Sequence, residues 1–234
     1  MKDVEREPLS ADVRRGQPAL GESDCRIDGI LVRELAEPGS DQRFGVNLVC
    51  RPSRAVRSAV EVVQGHLRQL EPDQYYCPLP DLHMTLVEIC HSQTLRTARN
   101  IASVLREIEY RKWLPDHSVR LDSPSLVSDN SGCALRFAQP DGPLADLRRR
   151  MIAAIEQSGV HICSRYPPAS AHITLLRYVA PLRGFLRGPI ATPQLITDLS
   201  SIQWQVRTAW LTWGANWYGM RHRISEFGPI RLQI

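Results

Sequence analysis

The chain has 234 residues, 43% hydrophobic and 23% charged, which is ordinary for one large globular domain or two small lobes. No apolar run reaches the ~18 residues of a membrane span, and the charged first residues lack the apolar core of a secretory signal. Six scattered cysteines without a C-x-x-C pair fit neither a disulfide framework nor a zinc pattern, so we expect reduced thiols in a cytoplasmic protein.

The net charge of +4 is unevenly distributed, because residues 1–40 sum to −3 and the remainder to +7. Only Lys2 and Lys112 are lysines, so nearly all the positive charge is arginine, whose planar guanidinium suits phosphate. A GC-rich genome that favours arginine codons would produce the same excess. The charges do not form the long basic blocks of duplex DNA binders, and the excess fits a smaller anionic ligand.

Residues 1–40 are expected to form a flexible or irregular N-terminal extension, because they mix Pro, Gly and charges without a sustained period. Within it, residues 27–35 are predicted as one short strand. The compact domain is expected over residues 41–234, and it begins with a β-branched strand at 43–50.

Apolar residues spaced by three and four predict an amphipathic helix after Ser53, which would cap it. Its inward stripe is Val56, Val60, Val63, Leu67 and Leu70. A Pro-rich loop with Tyr76 then leads into a strand. A second helix over 94–110 has as inward residues Leu95, Ala98, Ile101, Leu105 and Ile108. Strands are predicted at 118–127 and 133–139.

The second half repeats this order of strand, helix, Tyr-Pro loop and strand. Its helix over 144–159 has Gly159 as C-terminal cap, and its inward residues are Leu144, Leu147, Met151 and Ile155. A short helix at 192–199 and strands at 205–213 and 221–233 complete the chain. Such a repeat is typical of an old duplication, although convergence onto the same unit gives the same pattern. We predict an α+β fold with two pseudo-symmetric, mostly antiparallel sheets, flanking helices and a central cleft.

Each half contains His-x-Thr-Leu on a predicted strand, as HMTL from His83 and as HITL from His172. Seven histidines and eight threonines in 234 residues predict only about 0.24 chance occurrences of His-x-Thr. Because side chains alternate along a strand, His83 and Thr85 share one face, and the apolar residues beside them face the core. The same alternation pairs His172 with Thr174.

If a pseudo-twofold axis relates the halves, two imidazoles and two hydroxyls converge in the cleft. An imidazole can give or take a proton near neutral pH, so one can deprotonate an entering oxygen while the other protonates a leaving oxygen. The threonine hydroxyls can donate hydrogen bonds to phosphoryl oxygens, where charge collects in the transition state. This arrangement requires no metal and no cofactor.

A zinc site or a purely structural histidine pair is the rival interpretation. Strict alternation turns Glu88 and Cys90 to the face opposite His83, and His91 lies too far along the strand, so we expect no metal ligand set. Alternation also turns Arg177 away from His172, and a phosphate role for Arg177 needs the strand to twist or end.

Two tyrosines in the loops before the motifs, Tyr76 and Tyr166, are candidates for stacking on a nucleobase. Packing of both rings on the core is the alternative.

The paired motifs resemble those of the 2H phosphoesterase superfamily, which includes the LigT-like RNA 2′,3′-cyclic phosphodiesterases, also called 2′-5′ RNA ligases. The resemblance covers about residues 43–234, and HITLLR is similar to the second motif of bacterial LigT-like proteins, ending here at Arg177. It implies a bilobal duplicated fold and metal-independent attack on phosphodiesters of RNA or nucleotides. It also implies that His83 and His172 are catalytic and that Thr85 and Thr174 bind phosphate. Glu88 departs from the bacterial pattern, which usually has an aromatic residue there.

We therefore expect a phosphodiesterase that hydrolyses 2′,3′-cyclic phosphates or 2′,5′ bonds of RNA ends or nucleotides. We expect it to act as a monomer, without metal, cofactor or membrane contact. Further candidate substrate contacts are Arg177, Tyr76 and Tyr166. The sequence leaves open a non-catalytic nucleotide- or RNA-binding module, a 2H enzyme acting on cyclic oligonucleotide signals, and which histidine is the acid.

Overall fold

The structure, a computed structural model, describes residues 25–110, 119–138, 142–164, 170–183, 199, 202–215 and 224–232. The helices are α1 (Gly29–Ala36), α2 (Arg54–Leu70), α3 (Leu95–Arg106) and α4 (Pro143–Gln157). The strands are β1 (Phe44–Cys50), β2 (Tyr75–Tyr76), β3 (Met84–Gln93), β4 (Val119–Ser128), β5 (Gly132–Ala138), β6 (Ala171–Arg177), β7 (Gln203–Val206), β8 (Thr208–Ala215) and β9 (Ile224–Arg231). None of the described helices is both long enough and apolar enough to cross a lipid bilayer.

The strands form two antiparallel sheets. The first sheet has the order β3-β1-β8-β9, and the second has the order β2-β6-β5-β4-β7. The first His-x-Thr-Leu motif leads into β3 and the second lies on β6, so each sheet contributes one motif, and these two strands run close together. One continuous hydrophobic core includes residues of both sheets. The predicted α+β fold with two mostly antiparallel sheets and flanking helices is confirmed.

The amphipathic helices follow their apolar periods. The Ser53 hydroxyl accepts a hydrogen bond from the Val56 amide at 3.3 Å, which caps α2 as predicted. The predicted apolar face of α4 is fully buried, and Gly159 has the positive φ of +83° that a C-terminal cap requires. In α3, however, Leu95 is 44% exposed. It was predicted to face inward, but it is the first helical residue and precedes the first buried residue of the helix, Ala98.

Two secondary-structure predictions are wrong. Residues 27–35 do not form a strand, because Asp28 accepts a hydrogen bond from the Leu31 amide and caps α1, which buries Leu31 and Glu34 at helical spacing. The predicted strand at 205–213 is two strands, because the chain leaves the second sheet after β7 and enters the first sheet at β8. The helix predicted at 192–199 and the loop with Tyr166 fall outside the described residues, and the domain boundary at residue 40 stays a prediction.

Both motif strands contain a β-bulge at the leucine of the motif. On β3, Thr85 pairs with Val49 and Val87 with Leu48, which leaves Leu86 as the extra residue. On β6, Thr174 pairs with Ala134 and Leu176 with Cys133, which leaves Leu175 as the extra residue. A bulge inserts one residue and so reverses the alternation of side chains beyond it. It also leaves the leucine without a partner residue on β1 or β5, so its buried carbonyl needs a donor from elsewhere.

A buried arginine of α4 supplies the donors for the first bulge. Arg148 is only 7% exposed, and its Nε donates to the Leu86 carbonyl at 3.1 Å. Its Nη2 donates to the carbonyls of Thr85 at 3.1 Å and Ser170 at 2.8 Å. Ser170 lies directly before β6, so one guanidinium holds the backbones of both motif strands.

A buried glutamine of α2 does the equivalent for the second bulge. Gln64 is 3% exposed, and its Nε2 donates to the carbonyls of Leu175 and Cys77, each at 2.8 Å. The Cys77 amide also donates to the Leu175 carbonyl, at 2.9 Å. Each half of the chain therefore supplies a helix whose polar side chain stabilises the bulge in the other half. We call these the two reciprocal ties.

Arg148 is expected to be essential to stability, although arginine is usually a surface residue. Arg148→Met should lower the free energy of unfolding by about 3 kcal/mol, because three buried carbonyls lose their charged donor. Removal of the cost of burying the arginine charge offsets only part of this loss. Urea unfolding at neutral pH measures this difference.

The matched control is the next residue of the same helix. Arg149 is 76% exposed and forms a surface ion pair with Asp146, so Arg149→Met should change the free energy of unfolding by less than about 0.5 kcal/mol. Equal stability of the two variants would contradict the role of Arg148 in joining the strands.

Candidate active site

A cleft of about 410 Å³ lies where the two motif strands meet. His83 and Thr85 line it from the first sheet, and His172 and Thr174 line it from the second. The apolar residues between and after them, Met84, Leu86, Ile173 and Leu175, are fully buried. The alternation predicted within each His-x-Thr-Leu motif is therefore the one that the structure has, and it brings two imidazoles and two hydroxyls to one cavity.

His83 is oriented by a backbone carbonyl. Its Nδ1 lies 2.8 Å from the Asp81 carbonyl oxygen, which can only accept a hydrogen bond. Nδ1 therefore carries the proton, and the lone pair of the neutral ring is on Nε2. Arg51 donates to the same carbonyl at 3.2 Å and forms an ion pair with Glu226 of β9. The first imidazole is thus held in one tautomer by a carbonyl that is itself fixed.

His172 is oriented by a hydroxyl. Its Nδ1 lies 2.8 Å from the Ser170 hydroxyl oxygen, which can donate or accept. The contact is compatible with both the neutral and the protonated ring. His172 is also the more exposed of the two imidazoles. The two histidines therefore differ in their partners, although their motifs match.

Both imidazoles have lowered pKa values. Burial is the largest cause for His83 and lowers its pKa to about 4, and the positive charge of Arg51 adds to this effect. Desolvation in the cleft is also the largest cause for His172, and the charges of Arg177 and Arg148 lower its pKa further. These neighbouring positive charges disfavour a protonated histidine in the free protein.

The bulges correct two predictions made from strict alternation. Glu88 was predicted to point away from the site, yet it lines the cleft and is only 6% exposed. Arg177 was predicted to face away from His172 unless the strand twisted, and it also lines the cleft, with Nη1 donating to the Ser131 hydroxyl at 2.9 Å. Both predictions fail for the same physical reason. One extra residue, Leu86 on β3 or Leu175 on β6, reverses which side chains face the cleft beyond it. Glu88 and Arg177 occupy matching positions in the two motifs.

The tyrosines have separate outcomes. Tyr76 is buried on β2, its hydroxyl donates to the Glu71 carbonyl at 3.0 Å, and it is not among the residues that line the cleft. Its surroundings are those of a packed core residue. Tyr166 lies outside the described residues.

Sequence reasoning missed Arg148, Ser170 and Arg51. Of these three, only Ser170 could have been found from its position relative to a motif. It lies two residues before His172, just as Asp81 lies two residues before His83. Among the residues that the structure describes, no group of three or more His, Cys, Asp or Glu side chains is placed to hold a metal ion.

Comparison with known proteins supports the fold. No protein-family model and no curated protein matches the sequence. TT0787 of Thermus thermophilus is 17% identical over 78% of this chain and 93% of its own, with a TM-score of 0.55. A solved structure described as a phosphoesterase is 17% identical over 83% of this chain and all of its own, with a TM-score of 0.51.

LigT of E. coli, solved in complex with ATP, is 15% identical over 83% of this chain and 100% of its own, with a TM-score of 0.49. The conclusion on the fold depends on the two structures of higher TM-score. This chain shares the fold of these two solved structures, one of which is described as a phosphoesterase.

Proposed function

We propose that the protein is a metal-independent phosphodiesterase that hydrolyses 2′,3′-cyclic phosphates of RNA or nucleotides, or 2′,5′ phosphodiester bonds, by paired-histidine catalysis. One observation supports this most strongly. Two His-Thr pairs from two different sheets line a single cleft. An anionic phosphorus centre placed between them has a proton acceptor, a proton donor and two hydroxyl donors around it.

The two histidines are assigned different roles by their partners. His83 is the general base, because its Nδ1–H is fixed on the Asp81 carbonyl and its lowered pKa keeps Nε2 unprotonated. His172 is the general acid, because the Ser170 hydroxyl can accept from its Nδ1–H when the ring is protonated. The negative charge of a bound phosphate favours that protonated ring.

For a cyclic phosphate, the reaction is one in-line displacement. Nε2 of His83 takes a proton from a water molecule as the water oxygen bonds to phosphorus. The bond from phosphorus to one ribose oxygen breaks, and His172 gives its proton to that oxygen. Thr85 and Thr174 donate hydrogen bonds to the non-bridging oxygens, and Arg177 adds positive charge nearby. The product is a phosphomonoester with a free neighbouring hydroxyl.

Removal of either imidazole should remove acid–base catalysis. His83→Ala and His172→Ala should each lower kcat by roughly 10²–10⁴-fold on a nucleoside 2′,3′-cyclic phosphate. EDTA should leave the wild-type rate unchanged. Initial rates by chromatography of the product measure both effects.

The control is His161→Ala, because His161 is exposed in the loop after α4 and does not line the cleft. That variant should match the wild type. Full activity of either motif variant, or loss of wild-type activity in EDTA, would overturn the mechanism.

The pH dependence follows from the two lowered pKa values. The base is active above its pKa of about 4, and the acid is active below its pKa, which lies under 6.5 in the free protein. The profile of kcat/KM should therefore be bell-shaped with an optimum below pH 6.5, and it should fall as pH rises further. The alkaline limb of kcat should lie at higher pH, because bound phosphate raises the pKa of His172. An optimum of kcat/KM above pH 8 would show that the assigned protonation states are wrong.

A further inference from the structure

Residues Cys25–Arg43, which we call the strap, are fixed to the second sheet at their beginning. The Arg26 amide donates to the Asn130 carbonyl at 2.7 Å, and the Asp28 amide donates to the Tyr178 carbonyl at 2.8 Å. Asn130 lies in the turn between β4 and β5, and Tyr178 directly follows β6. The beginning of the strap is therefore hydrogen-bonded to the sheet that carries the second motif.

The other end of the strap continues directly into β1 of the first sheet. The Glu34 side chain is buried at 1% exposure, and its carboxylate accepts hydrogen bonds from the amides of Gly39 and Asp41 at 2.8 and 2.7 Å. These bonds hold the turn through which the chain enters β1. The strap therefore runs from the second sheet, to which it is hydrogen-bonded, to the first sheet, into which it continues.

The strap also forms one end of the cleft. Its residues on the cleft wall are Arg26, Ile27, Asp28, Gly29, Ile30 and Arg43. Glu88 lines the same cavity and presents a buried carboxylate. Ile27 is 43% exposed, so the cavity combines an apolar surface with the charged groups of the strap and with the Glu88 carboxylate, a strong hydrogen-bond acceptor. A nucleoside has the complementary features, namely flat apolar faces and ribose or base groups that donate hydrogen bonds.

We propose that the strap restricts the site to substrates of one nucleotide, so that free nucleotide-sized cyclic phosphodiesters are preferred over the same phosphate at the end of an RNA strand. The nucleoside lies between the strap and Glu88, and the phosphate lies between the two motifs. The cleft volume of about 410 Å³ is at the lower end of the ~300–1,000 Å³ that small-molecule sites occupy. This inference rests on the proposed phosphodiesterase function and adds the substrate class to it.

The wild-type protein tests the size limit directly. Its kcat/KM should be at least tenfold higher for adenosine 2′,3′-cyclic phosphate than for a ten-nucleotide RNA ending in the same cyclic adenosine. Similar values for the two substrates would overturn the size limit and leave the proposed function standing. Hydrolysis of neither substrate would overturn the proposed function, and the inference with it.

Gly29 allows a steric test of where the nucleoside lies. Gly29 lies on the wall of the cleft, and a Cβ added to it meets no atom within 4 Å, so Gly29→Leu adds a side chain at this wall without a backbone clash. This variant should raise KM for the cyclic mononucleotide at least tenfold. Gly65→Leu is the matched control, because Gly65 is equally open but lies on the exposed face of α2. It should behave as the wild type.

A second variant keeps the shape of the cleft and changes only its chemistry. Glu88→Gln removes the carboxylate charge, and it should raise KM for the mononucleotide severalfold while kcat changes little, because Glu88 is assigned to binding. An unchanged KM in both Gly29→Leu and Glu88→Gln would overturn the placement of the nucleoside at the strap.

Discussion

The structure depends on the satisfaction of two buried carbonyl groups, those of Leu86 and Leu175. Each belongs to the extra residue of a bulge, and each accepts from a side chain of the opposite half, Arg148 or Gln64. The Leu175 carbonyl also accepts from the Cys77 amide. A buried carbonyl without a donor is costly, so these bonds make each bulge depend on the packing of the other half. The reciprocal ties thus couple the structure of each motif to the relative position of the two sheets. That position sets the distance between the two motifs, between which a reacting phosphorus would lie.

The same bulges explain how far the sequence could predict the site. Alternation correctly places His83, Thr85, His172 and Thr174 in the cleft, because those residues precede the extra leucine. It fails one step later, at Glu88 and Arg177, because a bulge depends on pairing with a neighbouring strand and leaves no mark in the motif itself. Arg148 was missed for a related reason. An arginine on an amphipathic helix is normally solvent-exposed, and only the three-dimensional arrangement shows which carbonyls need its donors.

The N-terminal region shows a different limit of sequence reasoning. The short apolar run at 27–35 fits a strand or a helix equally well by composition, and the cap at Asp28 with the tertiary burial of Leu31 decides in favour of the helix. This helix is part of the strap, which lines one end of the cleft. A segment that was expected to be an irregular extension therefore supplies part of the wall beside the motifs.

The electrostatics of the cleft make protonation and ligand binding interdependent. Burial lowers the pKa values of both imidazoles in the free protein, and the charges of Arg51, Arg177 and Arg148 lower them further. A bound phosphate reverses this effect, and on the proposed mechanism it does so at His172, where the proton is needed. The asymmetry between a carbonyl partner for His83 and a hydroxyl partner for His172 then separates base from acid in two otherwise matching motifs.

The central claim is that both motif histidines act on one phosphate group, and ¹H–¹⁵N NMR of the imidazole nitrogens during titration with inorganic phosphate tests it most directly. If both histidines contact the same phosphate, the resonances of His83 and His172 shift along a single one-to-one binding curve, and the pKa of His172 rises when phosphate is bound. A response of only one histidine, or two independent binding curves, would contradict it.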